Sequence, residues 1–551
     1  MTDKRKGLFA VFALGIIGIL VWFLYSKLLL PRYLIFSDAA KFADIARNLI
    51  LVGDYGTTFS PWGVGITGIK GLFPALWIPP LFPLSLGLFF KIFGINDLTI
   101  ILTSGFFYFA SAIALYFLGK KVFGQLVGIL ASLALIFDPT MLNYATSGAS
   151  ESLFIFELIL AAFLFYLNTK KSLFFGFLTL IALYFTRPSA IIYIFSFVLL
   201  FILFKFRKRV QLLRAMGMVA LLWFLIEIIL IKFSGRYFLY SPISSLIYGA
   251  AKFSPLIAST ATLRGGLVSA GFQLKPFLSK FFYNLYNFYK LLPNILSPYL
   301  AAFFFLSLFR WEKEREKRIF RLIVLFLVAV TFFASAAFLP IYRYLHPVIP
   351  FVYLLGIETL VWVVRVITKE TELFTLMRAN SKRIFANERI LVGIIATSLV
   401  IFFIVGQTTG KIFLDSRYLR AHTNPDKPPV YVELSWILKE NTEPDDLIIT
   451  NLDTWGSWYG ERKTIWFPLR PEQLIPQEGE ELKIDAIYLT SYKMDDENYF
   501  MGENWREIFY QPEGLKDPFF SENFELKGKF EIAPEETYER EGATAVLLIR
   551  K

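Results

Sequence analysis

The sequence predicts an all-α polytopic membrane bundle of about eleven transmembrane helices, followed by a small α/β domain outside the membrane. Three observations lead to this fold class. The 551-residue chain is 56% hydrophobic with a mean hydropathy of +0.55, a composition typical of polytopic membrane proteins. Long apolar stretches recur along the chain, and basic residues cluster in every second connection between them.

The apolar stretches have the composition of transmembrane helices. They lie at residues 8–30, 97–118, 124–139, 151–167, 172–186, 188–205, 215–232, 291–309, 321–339, 346–364 and 389–407. Residues 1–30 lack a small-residue cleavage site. The first stretch is therefore predicted to be a retained anchor and not a signal peptide.

Lysine and arginine residues give the predicted bundle its orientation. If the N-terminus lies inside, the internal segments are 1–7, 119–123, 168–171, 206–214, 310–320 and 365–388, and each contains basic residues. The short external turns are nearly free of them, Arg187 and Arg343 excepted. This is the positive-inside pattern, so the net charge of +12 needs no nucleic-acid partner. The pattern predicts a multi-pass protein of the plasma (inner) membrane with a cytoplasmic N-terminus.

The composition also excludes several kinds of chemistry. The chain has no cysteine, which excludes disulfides, thiolate catalysis and cysteine-bound metals. Its only histidines are His346 and His422, too few for a histidine-rich metal site. Any divalent cation would need carboxylate and water ligands.

An odd number of spans places the C-terminal residues outside, so we expect a transmembrane domain at 1–410 and an extracytoplasmic domain at 411–551. In the second, alternating runs such as DLIIT, KTIWF, DAIYLT and AVLLIR are typical of strands, and YVELSWILKEN is typical of a helix. The segment LDTWGSWYGERKTIWFP predicts a strand–turn–strand with Gly456 and Gly460 in the turn.

Two long external loops, 31–96 and 233–290, carry much of the polar chemistry. In the first, Phe42, Ile45, Ala46 and Leu49 lie on one helical face and Lys41, Arg47 and Asn48 lie away from it. This spacing predicts a helix lying flat at the lipid headgroups. Ser37 is a candidate N-cap, which would put Asp38 at the first helical position. Asp38 is then either a general base for an acceptor hydroxyl or only a helix-start acid.

Further polar residues are predicted on the same membrane face. Glu151 follows the external turn DPTMLNYATSGAS, and Arg187 and Arg343 lie at external membrane boundaries. Guanidinium groups match phosphate oxygens, although each arginine alone is also explained by contact with lipid headgroups. The Pro-rich segment IPPLFPLSLGLFFKIFG predicts a second juxtamembrane helix that re-enters the bilayer.

In their order along the chain, these motifs resemble those of the C-type (GT-C) polytopic membrane glycosyltransferases. An anchor span is followed by an external Asp in D-A-x-x-F-x-x-x-A-x-x-L, a P-P-L segment ending in F-G, a later external acid, an L-x-x-x-R-P turn and a terminal R-Y-x-x-P-x-x-P segment. The resemblance covers about residues 8–365. It is to the branch of protein O-mannosyltransferases and aminoarabinose transferases, whose donors are dolichyl- or undecaprenyl-phosphate sugars.

The resemblance implies inverting transfer of a sugar from a polyprenyl-phosphate donor to an acceptor hydroxyl of a lipid, a glycan or a protein. Asp38 matches the catalytic acid of the first loop, and Glu151 matches the second external acid. Many members carry a Lys before the Pro pair, where this chain has Ile78, so Arg187, Arg343, Arg264 and Lys70 are candidates for binding the donor phosphate. The candidates for binding substrate or acceptor are Asp54, Tyr344, His346, Trp455, Trp458 and Tyr459.

Several alternatives stay open on the sequence alone. The mannosyl and aminoarabinosyl relatives work without a metal, whereas oligosaccharyltransferase-like chemistry would recruit a divalent cation (Mg or Mn) to Asp38 and another acid. A lipid-linked sugar transporter or flippase would also explain the spans and the basic loops. A polymerase of surface polysaccharide would share the donor and differ in its external loops.

Overall fold

A computed structural model describes residues 3–29, 32–62, 71–75, 78–187, 189–204, 273–338, 341–370, 388–406, 426–476, 484–496 and 499–551, together with Arg264, Asn424 and scattered positions between 213 and 228. Lys70, half of the predicted span 215–232 and most of the loop 233–290 lie outside the described residues.

Up to residue 406 the described chain is mainly helical. The helices are Asp3–Leu29, Ser37–Leu51, Leu81–Phe93, Asp97–Val122, Gln125–Ile136, Pro139–Ser147, Glu151–Leu167, Lys170–Thr186, Ala190–Phe204, Leu274–Ile295, Pro298–Ser307, Arg315–Ala337, Ile349–Glu370 and Glu388–Val400, with a 3-10 helix at Tyr342–Val348 and a π-helical turn at Ile401–Val405.

Within the described ranges, four helical stretches are long and apolar enough to cross a membrane: Gly7–Ser26, Asp97–Val122, Arg315–Ala337 and Tyr342–Lys369. The pair Gln125–Ile136 and Pro139–Ser147, bent by 60°, makes a fifth if it counts as one span. The chain is thus a multi-pass membrane protein, and the number of eleven spans stays a prediction.

The helix Pro139–Ser147 forms where the sequence predicted an external turn. Asp138 caps it by accepting a hydrogen bond from the amide of Met141 at 2.9 Å, and Pro139 occupies the first turn. Both are helix-start signals. They compete with the turn propensity of this segment, and here the helix forms.

In the described part of the chain, eight strands build two sheets. They are β1 (Gly56–Thr57), β2 (Phe59–Pro61), β3 (Phe73–Pro74), β4 (Leu447–Thr450), β5 (Lys463–Trp466), β6 (Ala486–Thr490), β7 (Phe524–Ile532) and β8 (Ala543–Arg550). β1 pairs with β3, and the others form one sheet in the order β2-β5-β4-β6-β8-β7. β2, β5, β4 and β6 run parallel, and β8 and β7 pair antiparallel at the other side.

Both faces of the larger sheet are buried. On one face the helix Val430–Glu440 packs through Leu434 and Leu438. On the other, the helix Glu503–Tyr510 packs through Trp505 and Phe509. A central parallel sheet is covered on both faces, so the side chains that point to either face are buried.

The sheet is not made from the C-terminal residues alone. β2 comes from the first external loop and pairs with β5, with Phe59 opposite Thr464 and Pro61 opposite Trp466. β2 is an edge strand, where a proline costs no ladder hydrogen bond. The first loop and the C-terminal residues therefore share one hydrogen-bonded layer, and the division at residues 410 and 411 stays a prediction.

Candidate active site

The helix that carries Asp38 begins one residue earlier than the sequence indicated. Its N-cap is Phe36, in extended conformation (φ −115°, ψ 126°), with no side-chain cap, and Ser37 is the first helical residue. Asp38 is therefore the second helical residue, still within the turn where the helix dipole favours an anion. The prediction that Ser37 caps the helix is wrong, because Ser37 already has helical conformation and Phe36 occupies the N-cap position.

The Asp38 helix, Ser37–Leu51, packs against other parts of the protein. Ala39, Ala43 and Ala46 pack in a cluster with Phe82 and Leu86 of the helix Leu81–Phe93 and with Trp455 and Trp458 of the C-terminal segment. Small alanines allow this close approach of the backbones. The predicted position of this helix at the headgroups stays a prediction.

Asp44, on the same helix, is a buried carboxylate that no sequence pattern singled out. It accepts hydrogen bonds from Arg47 at 2.6 Å, from the hydroxyls of Thr57 and Thr58 at 2.8 Å each, and from the amide of Thr58 at 2.6 Å. A buried carboxylate is stable only when hydrogen-bond donors or cations contact its oxygens. Asp44 therefore fixes the loop after the helix relative to the helix itself.

The predicted acids and arginines form one cluster. Arg343 contacts Asp38 (Nη2 to Oδ2, 2.7 Å) and Glu151 (Nε to Oε1, 2.6 Å). Arg187 pairs with the same Glu151 oxygen, and Lys41 Nζ lies 3.1 Å from Oδ1 of Asp38. Glu151 is 2% exposed and Asp38 is 31% exposed, so the cluster opens to its surroundings at Asp38.

The charges of the cluster decide the state of Asp38. Burial by itself raises the pKa of Asp38, but the charges of Lys41 and Arg343, the hydrogen bond from Arg343 and the charge of Arg187 outweigh it and hold the pKa well below its usual range. The carboxylate is thus ionised at neutral pH. The five side chains of the cluster carry one positive charge in excess, a setting that suits an anionic ligand.

The residues present do not fit a divalent cation. Both oxygens of Asp38 and the inward oxygen of Glu151 are already contacted by cationic side chains. In the described part of the chain, no three acidic or histidine side chains come close enough together to hold a metal ion. A metal ion would have to displace two arginines that it also repels.

Two other candidates lie beside the cluster, and a third stands apart. The Arg187 guanidinium lies 5.8 Å from the ring centre of Tyr344. His346 is buried, and its Nδ1 shares a hydrogen bond with the hydroxyl of Tyr144. Asp54 is exposed after the end of the Asp38 helix.

Arg264 does not join the cluster. Its buried guanidinium donates to three backbone carbonyls of the C-terminal segment, those of Phe467 (3.0 Å), Pro468 (3.2 Å) and Phe500 (2.8 Å). With its donors used in this way, Arg264 holds loops of the sheet together. Its predicted role in binding a phosphate is corrected on this ground.

The three aromatic candidates of the C-terminal segment are packed inside the protein. Trp455 stacks on Tyr431 with ring centres 4.3 Å apart. The indole N–H of Trp458 and the hydroxyl of Tyr459 donate to the two carboxylate oxygens of Asp97, at 2.8 and 2.7 Å. These rings dock the C-terminal segment on the bundle, and we do not assign them to sugar stacking.

The segment around them also differs from the predicted strand–turn–strand. β4 and β5 are parallel, so the connection must cross over, and it contains the helical turn Trp455–Trp458. A side chain on Gly456 would meet Thr464 and Leu438. The glycine therefore serves close packing.

Comparison with known proteins places this geometry in context. Residues 78–231, which include Glu151 and Arg187, match the family model described as dolichyl-phosphate-mannose-protein mannosyltransferase. The fold is similar to that of ArnT from Cupriavidus metallidurans, solved with bound undecaprenyl phosphate, with 12% identity, 99% and 98% of the two chains covered and a TM-score of 0.54. The resemblance to the GT-C glycosyltransferases is confirmed.

Oligosaccharyltransferases with this GT-C fold are similar as well. The apo enzyme of Archaeoglobus fulgidus has 14% identity, a TM-score of 0.52 and coverage of 88% of this chain and 70% of that one. The structure of AglB from the same organism, in complex with an inhibitory peptide and a dolichol-phosphate, has 13% identity and a TM-score of 0.51. The match covers 97% of this chain and 74% of that one. No curated protein sequence matches the chain. At these identities, the likeness shows the fold.

Within the GT-C fold of this chain, sequence reasoning missed three polar residues near Asp38. Lys41 had a visible signal, since a lysine three residues after an acid on a helix lies next to it. Asp453 and Thr454 had none, because they reach the Asp38 helix only through the folding of the C-terminal sheet.

Proposed function

We propose that this protein is an inverting glycosyltransferase that moves a sugar from a polyprenyl-phosphate-linked donor to an acceptor hydroxyl at the outer face of the membrane. The acceptor belongs to a lipid, a glycan or a protein. The observation that carries the proposal is the joint contact of Arg343 with Asp38 and Glu151, which puts an ionised carboxylate beside a cationic group of the kind that binds phosphate.

Asp38 acts as the general base. The acceptor oxygen attacks the anomeric carbon and its proton passes to the Asp38 carboxylate, while the bond from the anomeric carbon to the phosphate oxygen breaks with its electron pair on the phosphate. Attack opposite the leaving group inverts the configuration. A positioned general base contributes about 10²- to 10⁴-fold to such a step.

Arg343 and Arg187 stabilise the leaving group. The lipid phosphate gains a negative charge as the glycosidic bond breaks, and guanidinium donors aimed at that charge lower the barrier. Glu151 holds both arginines by one oxygen, so it orients the phosphate-binding groups. The two guanidinium groups supply positive charge for this reaction.

The proposal is tested by transfer of labelled sugar from polyprenyl phosphate to acceptor in proteoliposomes. Asp38→Asn removes the base while keeping the size of the side chain, and we expect its turnover to fall by about 10²-fold or more. The matched control is Asp445→Asn, at an acid that is 99% exposed, and it should keep wild-type turnover. Full activity of Asp38→Asn would refute the mechanism.

A second candidate is transfer to an amide nitrogen, as in an oligosaccharyltransferase. It is favoured by the similar fold of the archaeal enzyme over 97% of this chain. Offering the same donor with asparagine-containing peptides and with hydroxyl acceptors separates the two reactions. If labelled lipid crosses the liposome membrane and no glycosidic bond forms, the protein is a transporter and both proposals fail.

A further inference from the structure

The larger sheet has a topological switch point between β4 and β6, at its carboxyl edge. From β4 the chain goes to β5 on one side, and from β5 it returns to β6 on the other side of β4. The connections after β4 and β6 therefore leave in opposite directions. In open α/β sheets, ligands bind at this kind of switch point.

Next to this switch point, the chain contacts Ser37 of its own first loop. Thr454, shortly after β4, donates from its hydroxyl to the carbonyl of Ser37 at 2.6 Å. Tyr499 donates to the Asp453 carboxylate at 3.1 Å, and the Ser37 hydroxyl lies close enough to both groups to act on their pKa values, in the lowering direction. Ser37 is thus held through its main chain by Thr454, and its side chain lies beside Asp453, one residue before Asp38.

The turn that makes these contacts has an unusual backbone. Asp453 has φ +55°, in the left-handed region that residues with side chains seldom adopt. Such a conformation persists where the surroundings determine it. Here the strained turn points the Asp453 carboxylate and the Thr454 hydroxyl at the same residue.

Two more contacts hold the chain just before the helix. The amide of Leu34 donates to the hydroxyl of Tyr459 at 2.9 Å, and its carbonyl accepts from the hydroxyl of Tyr431. Between Leu34 and Ser37 the first loop is therefore bonded to the C-terminal segment at three main-chain atoms. Asp38, by contrast, has its own carboxylate contacts with Lys41 and Arg343.

We propose that Asp453 and Thr454 are positioning residues for the transfer reaction. They fix Ser37, and through it they hold Asp38 where its carboxylate reaches the acceptor proton. This inference rests on the proposed function of Asp38 as the base. It gives the C-terminal segment a part in the chemical step, because a base displaced by about 1 Å loses much of its effect.

The test compares Thr454→Val, which removes the hydroxyl at nearly constant volume, with Thr454→Ser, which keeps it. The matched control is Thr537→Val, because Thr537 is also fully buried and its hydroxyl also donates to a carbonyl, that of Glu541 at 2.9 Å. Turnover and donor KM are measured in proteoliposomes. Hydrogen–deuterium exchange is measured on peptides covering residues 34–46.

For Thr454→Val we expect turnover to fall about tenfold, equivalent to about 1.4 kcal/mol of activation free energy, with donor KM within twofold of wild type. Exchange at the start of the Asp38 helix should become faster. Thr454→Ser should restore both properties to within twofold. Thr537→Val should change neither.

Three outcomes would overturn the inference: wild-type turnover and exchange in Thr454→Val, loss of turnover without faster exchange, or equal effects in Thr537→Val. Failure of the proposed function has a different signature. In that case the wild-type protein forms no glycosidic bond with any donor. Faster exchange in Thr454→Val, without any activity readout, would still support the contact by which Thr454 fixes the start of the Asp38 helix.

Discussion

Nη2 of Arg343 lies 2.7 Å from Oδ2 of Asp38, although 305 residues separate the two along the chain. The proposed base is therefore paired with a proposed phosphate-binding group before any substrate arrives. A donor phosphate that binds Arg343 competes with the Asp38 carboxylate for the same N–H groups. Donor binding would then weaken the contact between Arg343 and Asp38 and leave the carboxylate free to accept the acceptor proton. The donor would therefore bind before the acceptor is deprotonated.

This pairing predicts how activity depends on pH. The pKa of Asp38 is held below its usual range, about 3.9 for an unperturbed Asp, so its carboxylate stays ionised as the pH falls and kcat/KM should be flat between about pH 5 and 8. Arg343→Gln removes a cause of the lowering and leaves burial, which raises the pKa. The acid limb should then move to higher pH.

The measurement is the pH profile of kcat/KM for both proteins, with Arg506→Gln as control. Arg506 pairs with the exposed Asp495 on the C-terminal part and should leave the profile unchanged. If the acid limb of Arg343→Gln coincides with that of the wild type, Arg343 does not set the pKa of the base.

Glu151→Gln should lower the stability of the protein and increase the stabilisation that an anionic ligand provides. Glu151 is 2% exposed between Arg187 and Arg343, and removing one partner of a buried ion pair costs about 3 kcal/mol or more. An anionic ligand can replace the lost charge. We expect a lower Tm, and a larger rise in Tm on adding polyprenyl phosphate than in the wild type.

Thermal unfolding in detergent, with and without polyprenyl phosphate, measures this effect. A neutral polyprenol of the same length is the control ligand and should raise the Tm of both proteins equally. An equal shift with the phosphate in wild type and variant would exclude Arg187 and Arg343 as its binding groups.

Trp458→Phe should loosen the C-terminal segment from the bundle. The indole N–H of Trp458 donates to Asp97 at 2.8 Å, and leaving a buried acceptor without its donor costs about 1–3 kcal/mol. Trp466 is a matched control, because it is 6% exposed against 7% for Trp458 and its indole nitrogen has no partner among the described residues.

Denaturant unfolding of Trp458→Phe and Trp466→Phe separates the hydrogen bond from the loss of ring area. Trp458→Phe should lower the free energy of unfolding more than Trp466→Phe by about 1 kcal/mol or more. Equal losses would mean that the bond to Asp97 contributes nothing to docking.

Arg264→Lys should destabilise the external part and leave donor binding unchanged. A lysine has three donors on one nitrogen and cannot reach the three carbonyls that the planar guanidinium reaches. We expect a lower Tm and an unchanged donor KM. Arg343→Lys, tested in parallel, should raise donor KM. The same rise in Arg264→Lys would mean that Arg264 does bind the donor phosphate.

The sequence predicted the main helices and that Asp38, Glu151, Arg187 and Arg343 lie at one face of the bundle, where the structure brings them together. Apolar length and charge asymmetry carry that information locally. Pairing is different, because the contact of Arg343 with both acids depends on how distant helices pack. No local pattern encodes which acid an arginine reaches.

Other features had no local signal at all. Arg264 bonds to main-chain carbonyls, and every segment of a chain offers those. β2 is three residues long and contains Pro61, so alternation could not reveal it. The predicted turn at Gly456 failed for a related reason, since parallel pairing of β4 with β5 is a property of the sheet and not of the segment.

The strand β2 has a consequence for how the protein is made. Phe59 pairs with Thr464, so the loop that carries Asp38 leaves the ribosome long before the strand that completes its sheet. Contacts so distant in sequence form late and slowly. The segment that carries Asp38 is therefore among the first parts to be synthesised, and the sheet that it joins can form only after β5 has been made.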